Sequence, residues 1–378
     1  MLKTNMNDLN LWDLVGERVY VKIRQPYIKN FLEYVVSFSG SESKLAKLLG
    51  RRKINNIWEI KEGKRLISLD LIISILNILL IYKREEFKNI IENNIEELRY
   101  GYGCTKPIKN PRFPIIFSPV LARIAGHVAG DGGIELSGYA VYYTNQNKLL
   151  IEQFKKDIMN IFGDVGVYEY YKDSDNITMV RFSGIVGLIL MKFFGPMVGK
   201  LKHVPEVVSN ADKESKRMFL RAIYDDEGCI SESSNRIAFG VSNKQMIESV
   251  HEMLKEFRLT PGVITQKEAT DRWEASYQFG ITGKDMLTFS KTINFSHNEK
   301  KDKLEKYLQN RKFYRKKGEQ ERLILDVLKS GSMTAREISK KLGVDLSRSF
   351  RKQLFKLQKN NKVNFKIVNR MKLYSINR

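Results

Sequence analysis

The sequence predicts an α+β fold: a duplicated core in which each half runs helix–hairpin–helix–hairpin–helix, flanked by a helical N-terminal domain and a small C-terminal domain. Three observations carry this. Leu121-Ala-Arg-Ile-Ala-Gly-His-Val-Ala-Gly-Asp-Gly-Gly-Ile134 returns, remodelled, as Phe219-Leu-Arg-Ala-Ile-Tyr-Asp-Asp-Glu-Gly-Cys-Ile230, and each copy closes on an acid followed by glycine. The two acids, Asp131 and Glu227, stand 96 positions apart, about one small subdomain. Four of the eight prolines, Pro107, Pro111, Pro114 and Pro119, fall together and mark an ordered linker ahead of the core.

The first 104 residues predict an all-α domain. Ile28–Ser37 suits a helix, Ser41 can cap Leu45–Leu49, Gly50 stops it, and short helices follow at Lys53–Lys61 and Leu69–Leu80. Leu45-Ala-Lys-Leu-Leu-Gly50 with Ile57–Arg65 resembles phage-repressor-type helix-turn-helix domains. That resemblance places Arg51 and Arg52, with Lys53, Asn55 and Asn56, near the start of a recognition helix.

Residues 105–310 form the predicted core. Ser118-Pro119 is a helix start, a capping hydroxyl followed by proline in the first turn. Ala122, Ala125, Gly126, Ala129 and Gly130 leave little bulk on one helix face, and Gly126 and Gly130 are four apart. Small faces allow close helix approach, which carries both acids to the same end of the pair. The flanks repeat too. Hairpins are expected at Ile134–Thr144 and Cys229–Val241, helices at Leu149–Phe162 and Met246–Phe257, and second hairpins at Val167–Phe182 and Val263–Phe279.

At these residues the sequence resembles the LAGLIDADG homing endonucleases. Ile124–Gly132 and Leu220–Gly228 cover the nine-residue signature, and the family's catalytic, metal-binding acid maps to Asp131 and Glu227. His127, Val128, Ala129 and Gly130 depart from the signature, and Asp226 adds a third carboxylate where a small residue is usual. The resemblance implies a paired β-saddle on DNA and hydrolysis of both strands by water with Mg²⁺ or Mn²⁺. It also implies basic helpers near the acids, for which Lys200, Lys202, Lys300 and Lys301 occupy comparable places in the two halves. Arg181, Arg236, Lys267, Arg272 and Gln278 lie on expected saddle strands and are candidates to face DNA. Both motifs lie on one chain, so a monomer suffices.

Residues 311–378 begin with a basic connector, Arg311–Lys317. Helices at Glu319–Lys329, Thr334–Gly343 and Leu346–Lys359 precede a hairpin, an order that resembles a winged helix. Arg348, Arg351 and Lys352 on the third helix are its DNA-binding candidates.

Composition agrees with a polyanionic partner. A formal net charge of +22 and a pI of about 9.7 give a field that attracts phosphate backbones. Double-stranded DNA is the expected partner, with RNA as the alternative if the chain is a splicing maturase. A non-cleaving transcription regulator on the same scaffold is the other alternative. No apolar run predicts a transmembrane helix, so no membrane role and a cytoplasmic location are expected. Two cysteines, Cys104 and Cys229, make neither a disulfide framework nor a zinc site. Protein splicing is not expected, since the chain starts at Met1 and ends Asn377-Arg378.

Overall fold

The computed structural model describes residues 7–102, 106–231, 234–269, 275–310, 319–344, 346, 348–368 and 371–377. The chain divides into two compact units, Met1–Lys301 and Asp302–Arg378.

Two helices lie at the centre of the first unit. The motif-1 helix, Pro119–Ala129, starts where Ser118 Oγ accepts the Leu121 N–H at 3.3 Å. The motif-2 helix, Lys213–Glu227, starts where Asp212 accepts the Glu214 and Ser215 N–H groups at 2.8 and 3.0 Å. Their small residues set their separation. A Cβ on Gly126 would lie 2.6 Å from both Ala222 Cβ and the Phe219 carbonyl oxygen. A Cβ on Gly130 would meet Asp226 Cβ at 2.6 Å. The seam expected from the sequence is therefore real, and its second contact is glycine against aspartate.

Each motif helix feeds a four-stranded antiparallel sheet. In the first half Gly132–Ile134, Val141–Asn145, Ile177–Phe182 and Val167–Lys172 pair in that order. In the second, Gly228–Ser231, Arg236–Val241, Ser276–Thr282 and Thr265–Lys267 pair in the same way. Alternation divides the faces: Thr178, Val180 and Phe182 turn inward, Met179 and Arg181 outward. Helices Lys148–Phe162, Gly184–Phe194, Lys244–Glu256 and Lys284–Thr292 complete the duplicated order. The cores are aromatic, with Tyr143, Phe154 and Phe182 in one half and Tyr224, Phe239, Phe279 and Phe289 in the other. Among the described residues no single helix is long and apolar enough to cross a membrane.

The N-terminal segment corrects the all-α expectation. It contributes Val19–Ile23, Ile67–Ser68 and Ile95–Tyr100 to a five-stranded sheet. Val19, Val21 and Ile23 alternate with half-exposed Tyr20 and Lys22, a strand pattern too short to stand out beside the helical periodicity that follows it. The linker supplies the next strand, Ile108–Lys109, and the core supplies the last, Asp164–Val165. A further pair joins Asp8–Leu9 to Ile115–Ile116. Helices form at Tyr27–Ser39, Glu42–Leu48, Ile57–Lys61, Leu69–Leu76 and Ile81–Asn93. Arg51, Arg52 and Lys53 precede a helix rather than riding on it, because Asn56 turns into the left-handed region (φ 58°) and the helix begins only at Ile57. Shared strands make this segment part of the core's folding unit. Deleting residues 1–104 is expected to lower the thermal midpoint of the remainder by at least ~10 °C, by scanning calorimetry, because it strips three strands from a sheet that covers Ile108 and Val165.

The second unit runs Glu319–Leu328, Met333–Thr334, Ala335–Leu342, Arg348–Lys359, Val363–Val368 and Met371–Ile376. Met371–Ile376 lies between the other two strands, so Met333–Thr334 closes a three-stranded sheet that the hairpin alone did not foretell. Thr334 and Glu337 form a capping box, and Gly343 stops the helix in the left-handed region (φ 57°). Ile324, Leu328, Ile338, Phe350, Leu354 and Val363 form its own core. The connector Arg311–Lys317 and the turn Asn369-Arg370 lie outside the described residues.

Candidate active site

Asp131 and the carboxylates of Asp225, Asp226 and Glu227 gather where the two motif helices end. Asp131 stands exposed just after Gly130, which caps the motif-1 helix. Asn145, at the end of the adjoining strand, donates from Nδ2 to Asp131 Oδ2 at 3.0 Å. Beneath it the Asp226 side chain is buried, accepting from Tyr143 Oη at 2.7 Å and lying 3.1 Å from His127 Nδ1. Asp225 turns the other way and accepts the Ser296 and His297 N–H groups at 2.8 and 2.9 Å. An open cavity of about 340 Å³ borders the group, lined by Asp131, Asn145, Gln146, His297 and Lys300.

Each helix end carries a lysine. Lys202 Nζ donates to the Gly130 carbonyl at the motif-1 end. Lys300 Nζ donates to the Asp225 and Asp226 carbonyls at the motif-2 end. A cation on the last carbonyls offsets the negative end of the helix dipole. Burial lowers the proton affinity of both lysines, against the pull of the nearby carboxylates.

The acids shift the opposite way. Loss of hydration and the Asp226 charge push Asp131 up to about 6, although Lys300 and Lys202 oppose this. Loss of hydration, then Asp131 and Asp226, push Glu227 up to about 7. His127 is buried, which disfavours its charge, but Asp226 outweighs this and raises its pKa. Raised carboxylates bind protons more tightly folded than unfolded, so they subtract stability as pH rises from about 4 through about 7. Asp131→Asn and Glu227→Gln should therefore raise the thermal midpoint at pH 8 without metal. That gain should vanish near pH 4, as differential scanning fluorimetry across pH will show.

Among the described residues no three His, Cys, Asp or Glu side chains converge as a ready metal cage. Two hard oxygen donors with raised proton affinity nevertheless fit a cation such as Mg²⁺. That ion typically takes one or two carboxylates and completes its shell with water and substrate phosphate.

Residues 214–294 match the family model described as a LAGLIDADG-like domain. The second half of the duplicated core therefore carries a LAGLIDADG-like domain. Over 227 residues it is 25% identical to a glutamine–fructose-6-phosphate aminotransferase of Methanocaldococcus jannaschii, covering 57% of this chain and 20% of that protein. Over 247 residues it is 24% identical to a probable translation initiation factor IF-2 of the same organism, covering 61% and 20%. Over 162 residues it is 22% identical to the ribonucleoside-diphosphate reductase NrdEB subunit alpha of Bacillus subtilis, covering 40% and 15%. The chain thus spans about a fifth or less of these curated relatives. Among solved structures, I-DmoI in complex with DNA and Mn is similar at 19% identity, with 46% of this chain and 96% of that one covered and a TM-score of 0.36. Full-length DUF199/WhiA from Thermatoga maritima is similar at 12% identity, with 64% and 90% covered and a TM-score of 0.38.

The remaining candidates distribute unevenly over the duplicated core. Arg181 lies on the outward sheet face, paired with Glu135 at 2.8 Å. Arg236, Lys267 and Gln278 lie on the second sheet, where Gln278 stands opposite Thr265 and Gly240. Arg272 lies outside the described residues. Lys200 sits in the turn Gly199–Leu201, whose neighbouring carbonyls are held by Asn243. Lys301 is exposed on the helix Asn298–Asn310, away from the contacts that fix Lys300. Arg51, Arg52, Arg351 and Lys352 are exposed, and the Arg348 side chain is outside the described set.

Sequence reasoning missed Tyr143, Asn145 and the role of Asp226. Alternation along Val141–Asn145 was the available signal, since it turns Tyr143 inward beneath the motif-1 helix. It also missed the outward tyrosines of the first sheet. Tyr142 and Tyr168 stand opposite Arg181, and Tyr170 opposite Met179. The second sheet presents Ala238, Gly240 and Gly280 instead.

Proposed function

We propose that the chain is a site-specific, divalent-metal-dependent endonuclease of double-stranded DNA. The observation that carries this is the pair of acids at the ends of tightly packed motif helices, each end holding a lysine on its terminal carbonyls. Asp131 and Glu227 would hold Mg²⁺ or Mn²⁺, which when bound supplies an activated water and charge neutralisation at the leaving oxygen. Asn145 orients the Asp131 carboxylate. Lys202 and Lys300 place positive charge beside both acids, where it steadies them and attracts the DNA phosphate. The relatives support a portable module: an aminotransferase, an initiation factor and a reductase share no chemistry, so the stretch common to this chain and each of them belongs to none of those activities.

The second unit would bind DNA in its own right in this reading. Its order of elements is that of a winged helix, and Arg351 and Lys352 are exposed on the helix that would enter a groove. The exposed Arg51 and Arg52 turn adds a further basic patch. A non-cleaving DNA-binding regulator on the same scaffold is the second reading. A cleavage assay in Mg²⁺ separates the two.

The outward faces of the two sheets differ, tyrosine-rich in one half and a mixture of small and polar residues in the other, so their half-sites should differ in sequence. One chain should bind one non-palindromic site. Light scattering on the complex, with selection of the bound sequence, checks this; two chains on a palindrome would contradict it.

A further inference from the structure

Asp226 is a motif-2 residue that reaches across the seam into the motif-1 site. Its place in the signature belongs to a small side chain, and the room comes from Gly130 opposite, where any Cβ would come within 2.6 Å of it. The side chain is buried, and both carboxylate oxygens have protein partners. Tyr143 Oη donates to Oδ1 at 2.7 Å. His127 Nδ1 lies 3.1 Å from Oδ2, reaching it from the other half. The Asp131 main-chain N–H donates to Oδ2 at 3.4 Å. Asn145 Nδ2, which holds the Asp131 carboxylate at 3.0 Å, is 3.2 Å from Tyr143 Oη and 3.5 Å from Asp226 Oδ1.

We propose that Asp226 is a positioning residue for Asp131, fixing its backbone directly and its carboxylate through Tyr143 and Asn145, so that the two motif acids are unequally preorganised. With Tyr143 Oη at 2.7 Å and His127 Nδ1 at 3.1 Å, the Asp226 carboxylate is engaged by protein groups, which suits it to positioning. No comparable partner is found for the Glu227 carboxylate among the described residues. The asymmetry arises from the sequence itself, since the residue facing Asp226 across the seam is Gly130, which has no side chain to serve Glu227. In an enzyme where each acid serves mainly one strand, loosening one acid slows one strand.

This rests on the endonuclease reading, and the test separates the two. Supercoiled plasmid bearing the selected site is cut by wild type, Asp226→Asn and Tyr143→Phe, with each strand labelled. Affinity for the same duplex in Ca²⁺ and amide exchange at 127–132 are measured in parallel. Wild type cuts both strands; if it cuts neither, the endonuclease reading fails. Both variants should slow one strand at least ~10-fold more than the other and accumulate nicked circles. Amide exchange at Asp131 should quicken, and DNA affinity should stay within ~3-fold. Equal slowing of both strands, or no slowing in the folded Tyr143→Phe protein, overturns the positioning role.

Discussion

Asp131→Asn, and separately Glu227→Gln, should each abolish double-strand cleavage, with the rate falling at least ~10³-fold, equivalent to about 4 kcal/mol of transition-state stabilisation. Neither acid supports the fold. Asp131 is exposed past its helix, and both acids carry proton affinities raised by lost hydration. An amide of the same size keeps the shape and removes the charge that would hold a divalent cation. DNA affinity in Ca²⁺ should therefore change less than ~3-fold, since it rests on the basic surface rather than on two carboxylates. Single-turnover cleavage with a parallel filter-binding isotherm provides the check. Unchanged cleavage in both variants would remove the acids from the chemistry.

Gly126→Val should be the most damaging single change to the fold. Even the first carbon of that side chain would sit 2.6 Å from Ala222 Cβ and from the Phe219 carbonyl oxygen. The carbonyl is helix backbone and has no rotamer to escape into, so the helices must part. Overpacking of this kind typically costs about 1–3 kcal/mol, and a β-branched group against backbone belongs at the upper end or beyond. The displaced helices would also separate Asp131 from Glu227, so cleavage should fall together with stability. Gly138→Ala is the control. It has open space around it and only the strain of φ +81°, so it should cost about 1 kcal/mol. Urea melts of both variants give the comparison.

The duplicated core was legible because its signals are local and repeated. Ser118-Pro119 and the small helix face predict the motif-1 helix, while the acid–glycine ends and the alternating hairpins occur twice and predict the pairing. The five-stranded sheet was not legible. Three of its strands are two residues long, and its last pairing joins Ile108 to Val165, 57 positions apart, which no local pattern encodes. Asp226 shows the limit within the site. As a sequence departure it stood only as a third carboxylate where a small residue is usual. Its role depends on Gly130, His127 and Tyr143 arriving from the other half, which only packing reveals.

The central claim is that one chain assembles one metal-dependent cutting centre from both motifs. Incubating the full chain with a randomised duplex library in Mg²⁺, and sequencing the cut ends, tests it most directly. Wild type should recover one non-palindromic site cut in both strands, with no product in EDTA and none from the Asp131→Asn/Glu227→Gln double variant. Cleaved duplex from the double variant at the wild-type rate, or wild-type protein that binds a selected site in Mg²⁺ and leaves both strands whole, would contradict it.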